Sequence, residues 1–272
     1  MTYIFNAECK KTTMFVKTLI ELMSNISTVE NIQDDNKYVK QLYVKITKDG
    51  LELFSNTQKI ITSCAILNQE FFSDYFYKDE EPLCIGISLD ILKTCFKNIR
   101  KFDVLRMSIM DDEYKNFPDT ISFVFNDTKG FSVKFNIVQN IDNIYFENYK
   151  DIADIPSNRL TNLHKEIGGI KKNVKISIQN KLLTLTSTMV DIAENWVSFP
   201  TKDVISNKLE MTMKSEYFKT VSKISYFNNI INFQVNNTND ILLKSDIVNV
   251  KLNKDVVGKI FVNISLSHCK NM

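Results

Sequence analysis

Two stretches set 126 positions apart carry one pattern. Ile91-Leu92-Lys93-Thr94 with Lys97 recurs as Tyr217-Phe218-Lys219-Thr220 with Lys223, and the same offset lays Val104-Leu105 on Ile230-Ile231 and Ile109 on Val235. Upstream, Val44-Lys45-Ile46-Thr47 followed by LELFS is echoed by Val174-Lys175-Ile176-Ser177 followed by LLTLT. An order of helix, strands, helix, strands that occurs twice restricts the chain to a duplicated architecture.

The local patterns fill in each copy. Tyr3 to Ala7 reads as a strand, and Lys10 to Ile26 as a helix with Phe15, Leu19, Leu22, Met23 and Ile26 on its apolar face. Ser27 to Asn36 is polar and reads as a loop. Leu42 to Thr47 alternates as a strand, Asp49-Gly50 turns a hairpin and Leu51 to Ser55 returns. Further strands are expected at Ile60 to Leu67, Phe71 to Tyr77 and Leu83 to Ile87, then at Val104 to Ile109, Ile121 to Phe125 and Phe131 to Val138. Between two of these, Leu92, Cys95, Phe96 and Ile99 recur at helical spacing, with Lys93, Lys97, Arg100 and Lys101 on the opposite side.

Residues 140–151, NIDNIYFENYKD, mix acids, amides and aromatics without a period and read as a linker. The expected organisation is one domain over 1–139, a linker over 140–151 and a second domain over 152–272. In the second, Pro156-Ser157 opens a helix with Leu160, Leu163 and Ile167 inward. Ser215 opens another, with Phe218, Val221 and Ile224 inward. Strands fall at Val174 to Ile178, Leu182 to Thr186, around Trp196 and at Leu209 to Met213. Ile230 to Val235, Ile241 to Lys244 and Ile260 to Leu266 complete the set. The fold class is α+β, with antiparallel sheets and four helices. Only six glycines and four prolines in 272 residues agree with regular structure and few elaborate loops.

Charge is segregated along the chain. The helical segments 9–26, 88–101, 157–172 and 214–224 together carry +10, against +2 for the whole chain, so the remainder carries −8. Basic helices and acidic sheets and loops suit a surface that tracks a phosphate backbone without reading bases. Each basic stripe taken alone fits an ordinary solvated helix face equally well.

Other function classes find little support. Histidine occurs only at His164 and His268, and there is no phosphate-binding loop, GxGxxG or HExxH. Asp111-Asp112-Glu113 reads as an acidic turn, and Cys95, on an apolar helix face, as a core thiol. Five scattered cysteines without a CxxC indicate reduced thiols in an intracellular protein. No apolar run approaches a membrane span, and the N-terminus lacks a secretory apolar core. Neither catalysis nor a metal or cofactor site is expected.

The segments GLELFSNTQ (Gly50 to Gln58) and IGISLDILKTCFKNIRKFDVLRMSI (Ile85 to Ile109) carry a resemblance that spans nearly the full length. DIPSNRLTNLHKEIGGIKKNVKISI (Asp154 to Ile178) and LEMTMKSEYFKTVSKI (Leu209 to Ile224) extend it into the second half. The chain resembles the proliferating cell nuclear antigen family of DNA sliding clamps, as a divergent member. Its Lys, Asn and Ile abundance is compatible with a large DNA virus as source.

The resemblance implies a head-to-tail homotrimeric ring around duplex DNA that tethers a DNA polymerase and other replication or repair proteins. Helices would line the hole and sheets would form the wall. The implied DNA-facing residues are Lys10, Lys11, Lys17, Lys93, Lys97, Arg100, Lys101, Arg159, His164, Lys165, Lys171, Lys172, Lys214, Lys219 and Lys223. Edge strands Phe131 to Val138 and Val190 to Phe199 would join subunits. Partners would dock near Ile60, Ile61, Ile141, Ile144, Tyr145, Phe146, Ser265 and Leu266. Two positions depart from the family pattern: Asn56 replaces a pocket methionine and Asp240 replaces a proline. The implied location is the nucleus, or a cytoplasmic replication site for a viral protein. A clamp-derived transcription or checkpoint factor, acting as monomer or hetero-oligomer, is the alternative.

Overall fold

The computed structural model describes residues 2–26, 30–32, 37–57, 61–111, 117–139, 141, 146, 148–167, 173–189, 193–203, 209–248 and 255–265. For 30–32, 37–39, 56–57, 164–167, 188–189, 193–195, 214, 216–217 and 219 the description covers the backbone alone. The chain divides into two compact units, Met1–Asn56 with Cys64–Ile144 and Ile247–Lys259, and Thr57–Ser63 with Tyr145–Asp246 and Ile260–Met272.

In chain order the first elements are β1 (Tyr3–Cys9), α1 (Thr13–Ile26), β2 (Glu30–Ile32), β3 (Lys37–Val39), β4 (Gln41–Thr47), β5 (Gly50–Thr57) and β6 (Ile61–Asn68). A 3-10 turn at Gln69–Phe71 leads to β7 (Asp74–Tyr77), β8 (Leu83–Ser88), α2 (Leu89–Phe96), β9 (Leu105–Met110), β10 (Thr120–Phe125) and β11 (Lys129–Ile137). Then come β12 (Lys150–Pro156), α3 (Ser157–Ile167), β13 (Asn173–Gln179), β14 (Leu182–Met189), β15 (Ala193–Pro200) and β16 (Leu209–Lys214). α4 (Ser215–Val221), a 3-10 turn at Ser222–Tyr226, β17 (Ile230–Val235), β18 (Ile241–Val248) and β19 (Val256–Ile264) follow.

The duplication is visible in strand pairing. In the first unit β4 pairs antiparallel with β5 and β8, and β9 with β1 and β10. In the second, β13 pairs with β14 and β16, and β17 with β12 and β18. The cores correspond as well. Val16 and Ile20 of α1 and Leu92 of α2 meet Val44, Leu53, Met107 and Phe123, around an apolar cavity of about 50 Å³. Leu160 of α3 and Phe218 of α4 meet Ile176, Leu185, Phe233 and Leu243. The helices thus cover one face of each unit's strands, because alternation aims every second strand residue at them.

Helix starts are fixed by the same tether in both units. Thr13 Oγ1 donates to the Asp103 carbonyl at 2.7 Å, two residues before β9. Ser157 Oγ donates to the Asn228 carbonyl, two residues before β17, so Ser157 ties α3 to a neighbouring loop and is not a free cap. Four residues further on, Lys17 Nζ reaches the Lys97 and Ile99 carbonyls at 2.9 and 3.3 Å, where Thr161 Oγ1 meets Ser225 Oγ at 2.9 Å.

Several expected boundaries shift for identifiable reasons. α1 begins at Thr13, because the Thr12 carbonyl already accepts from Phe15 N and Val16 N at 2.9 and 3.2 Å. Lys10 and Lys11 therefore precede the helix. α2 ends at Phe96, beyond which Lys97, Ile99 and Asp103 donate i to i−3 bonds that tighten the chain into successive turns. Arg100 and Lys101 follow the helix and do not extend its face. β12 was not anticipated, because a register shift between Asp151 and Ala153 breaks its alternation. β2 falls within the expected loop of Ser27 to Asn36 and pairs with β3, which follows that loop. β11, expected as an edge strand, pairs with β10 over Lys129–Lys134 and then with β8 over Phe135–Ile137. The side-by-side hairpin of β4 and β5 agrees with the Asp49-Gly50 reading, Gly50 standing at φ 142° with a built Cβ only 2.0 Å from the Leu67 carbonyl oxygen.

Candidate nucleic-acid interface

The basic residues of the first unit gather where α1 meets the end of α2. Lys93 and Lys97 are exposed on and just past α2, and Arg100 and Lys101 are exposed in the turns that follow. Ser88 starts this helix by accepting from Ile91 N at 3.4 Å, and Asp90 sits in its first turn. Lys17 lies half-buried with its ammonium on the α2 C-terminal carbonyls, a favourable end for a cation. Asp103 closes the turn by accepting from Arg100 N at 2.8 Å and Asn126 Nδ2 at 2.9 Å. The Arg100 backbone donor, followed by the Asn126 amide, holds its carboxyl below the usual range. Lys10 is exposed and paired with Glu8 at 3.0 Å, and Lys11 is exposed beside it.

In the second unit Arg159 is exposed on α3, and Lys223 is half-buried in the 3-10 turn after α4. The side chains of His164, Lys165, Lys214 and Lys219, and residues Lys171 and Lys172, lie outside the described set.

Carboxylates occupy the opposite strand faces, and most are paired. Lys45 and Glu52 face each other across β4 and β5 at 3.5 Å, and Lys175 reaches Glu210 of β16 at 3.0 Å. Arg106 bridges Glu8 at 3.0 Å and Asp127 at 2.9 Å, while Lys202 bridges Asp154 at 2.9 Å and Asp151 at 3.6 Å. Sequence counting found the acidic remainder. It did not show that these carboxylates are matched by lysines and arginines on neighbouring strands and turns.

Of the residues proposed for partner docking, Ile61 is fully buried, and Ile141, Phe146 and Ser265 are half-buried. Phe146 stacks on Phe261 at 5.4 Å, Lys244 Nζ lies 6.0 Å from the same ring, and Tyr149 donates to Asn263 at 2.8 Å. Ile60, Ile144, Tyr145 and Leu266 lie outside the described residues. Asp240, where the family pattern has proline, donates its backbone N–H to Asn236 Oδ1 at 2.8 Å and accepts from Thr238 Oγ1 at 2.9 Å. Its place in that turn requires an N–H that proline lacks.

Burial raises the thiols of Cys9 and Cys64 to about 12, as core thiols require. Cys95, expected in the core, is only half-buried, and its thiol is shifted upward by partial burial. Among the described residues no cluster of three or more His, Cys, Asp or Glu is placed to hold a metal ion, and no helix is long and apolar enough to cross a membrane.

A family model described as repair protein Rad1/Rec1/Rad17 matches residues 10–246. The chain belongs to the Rad1/Rec1/Rad17 family. A relative from Invertebrate iridescent virus 6, the uncharacterized protein 436R, is 34% identical over 242 residues, covering 84% of this chain and 79% of the relative. The proliferating cell nuclear antigen of Entamoeba histolytica shares the fold at TM-score 0.72 and 11% identity, over 97% of this chain and 99% of that one. A PCNA2–PCNA3 complex from Sulfolobus tokodaii matches at TM-score 0.72 and 12% identity, over 96% and 98%. This Rad1-family chain therefore has the duplicated sliding-clamp fold expected from its sequence, and its viral relative agrees with a divergent viral clamp.

Proposed function

We propose that this chain is the subunit of a ring that encircles duplex DNA and holds replication or repair proteins on it. The reading rests above all on one observation: Lys93, Lys97, Arg100 and Lys101 are exposed together on and just after α2, while Glu8, Glu52, Asp151, Asp154 and Glu210 on the strands are ion-paired. Lys93, Lys97, Arg100, Lys101 and Arg159, with the basic residues outside the described set, would meet phosphates by mobile, sequence-independent contacts. Such contacts permit sliding, and topological linkage raises the effective concentration of whatever the ring carries. A partner polymerase would dock near Phe146 and Ser265 of the second unit. Activity belongs wherever that DNA is copied, in the nucleus or at a viral replication site.

The test is a triple reversal, Lys93→Glu with Lys97→Glu and Arg100→Glu. A folded variant that no longer supports processive synthesis or loading is expected, whereas full activity would remove the DNA-facing role. Self-association into a homotrimer is read from native mass.

A second reading has a specific observation behind it. The family description names repair proteins, and one structural neighbour is a complex of two different clamp chains. The chain would then close a ring with non-identical partners and serve repair. A monomeric mass for the pure protein, with a different clamp chain co-purifying, distinguishes this from the homotrimer.

A further inference from the structure

The end of α2 carries a feature that backbone tracking does not require. Phe102, in the turn before β9, is 83% exposed, and Lys101 Nζ lies 5.9 Å from its ring centre. Arg100 and Asp103, which flank this pair in the chain, line a cleft of about 740 Å³ between the end of α2 and the β10–β11 hairpin, a volume within the roughly 300–1,000 Å³ of small-ligand sites. In its lining Phe131 is stacked on Phe125 at 5.8 Å and also on Phe123 at 5.0 Å, and Phe96 contacts Phe125 and Phe131 edge-on at 5.6 and 5.9 Å, so these rings form a fixed wall of the cleft. Lys129 also lines it. The carboxylate there, Asp103, is occupied by Arg100 N and Asn126 Nδ2. The second unit repeats the exposed aromatic: Tyr226, 66% exposed, ends the 3-10 turn that contains Lys223.

Exposed aromatic faces interleaved with Lys and Arg are the requirement for binding unpaired nucleotides, whose bases stack while phosphates meet the cations. Bases within a duplex are stacked on one another and cannot use such a face. We propose that the end of α2 binds an unpaired nucleotide of single-stranded DNA, with the exposed Phe102 as the stacking face and Lys101, together with Arg100 and Lys129 of the adjoining cleft, on the phosphates. The amide of Asn98, also in the lining, is in position for a base edge. Tyr226, although not at the repeat-equivalent position of Phe102, is the exposed ring available for the same role in the second unit. This activity goes beyond encirclement of duplex DNA and does not depend on it.

The test uses the full chain and a short oligothymidylate containing one fluorescent adenine analogue. Binding should quench the analogue, as stacking does. Phe102→Ala, a change at an exposed position, should weaken single-strand affinity roughly tenfold and abolish the quenching. Lys129→Gln should lower affinity and reduce its salt dependence while leaving the quenching of bound analogue intact. Duplex affinity and native mass of Phe102→Ala should stay those of the unchanged protein, which separates failure here from failure of the ring reading. Unchanged single-strand affinity in Phe102→Ala overturns the proposal, as does absence of quenching in the unchanged protein. A loss of self-association in either variant, without loss of single-strand binding, would make the cleft a contact between copies and equally overturn it.

Discussion

Lys17 Nζ donates to the carbonyl oxygen of Lys97 at 2.9 Å, so one cation of the basic surface is committed to ending the helix that presents another. It also reaches Ile99 O at 3.3 Å. Lys17→Met keeps the aliphatic stem and removes the donor that the carbonyls of Lys97, the cap of α2, and Ile99, in the turn beyond it, accept from. A loss of about 1 kcal/mol in unfolding free energy is expected, read as a lower urea midpoint at unchanged slope. Thr161 takes the equivalent place in the second unit through Ser225, so Thr161→Val should produce a smaller loss.

Acid stability should report on Glu8. Its hydrogen bond with Lys10 leads the causes that lower its pKa, with Arg106 and Ser73 adding to it against the opposing effect of burial. A carboxyl depressed in the folded state stabilises above its unfolded value, roughly pH 4.3, and loses that contribution as pH falls through the folded value. Glu8→Gln should therefore flatten the decline in stability below about pH 4.5. It should also lower stability at neutral pH by roughly 1–2 kcal/mol. Thermal melts across that range compare the two slopes.

Gly50 permits no side chain. Its φ of 142° and the Leu67 carbonyl oxygen 2.0 Å from a built Cβ require the β4–β5 hairpin to move on substitution. Tyr75 Oη donates to Thr47 O at 2.6 Å and Gly50 O at 2.8 Å, so displacement would break that support as well. Gly50→Ala should cost about 2–4 kcal/mol, seen as a drop in Tm.

Asp240→Pro restores the residue of the sliding-clamp pattern and should still destabilise this protein. It removes the N–H given to Asn236 Oδ1 and the carboxylate held by Thr238, for a loss of about 1–3 kcal/mol. Chemical denaturation measures it, and Asp240→Asn, which keeps the N–H, should lie close to the unchanged protein.

Much of the fold is legible because its signals are local. Phe218, Val221 and Ile224 are all buried as their spacing requires, and β17 begins and ends at Ile230 and Val235 as expected. The doubled order is legible for the same reason, since each half repeats its own short-range pattern. The extent of α2 was not legible. Arg100 and Lys101 keep helical spacing in sequence, yet the chain leaves the helix at Phe96, where Lys17 takes the carbonyls of Lys97 and Ile99 and Asp103 takes the Arg100 amide. Phe102 gave no signal at all, since an aromatic beside a lysine reads as well for a core as for an open surface.

Sequence by itself determined which residues alternate, which recur every third or fourth place, and where cations are concentrated, because these depend on near neighbours along the chain. Only tertiary structure decided which charges remain free. Glu8 meets Arg106 across 98 positions, and Lys17 meets Lys97 across 80, so their pairing depends on strands and helices brought together by the burial of two cores. Charge neutralisation is a property of distances in space, and spacing along the chain does not fix them.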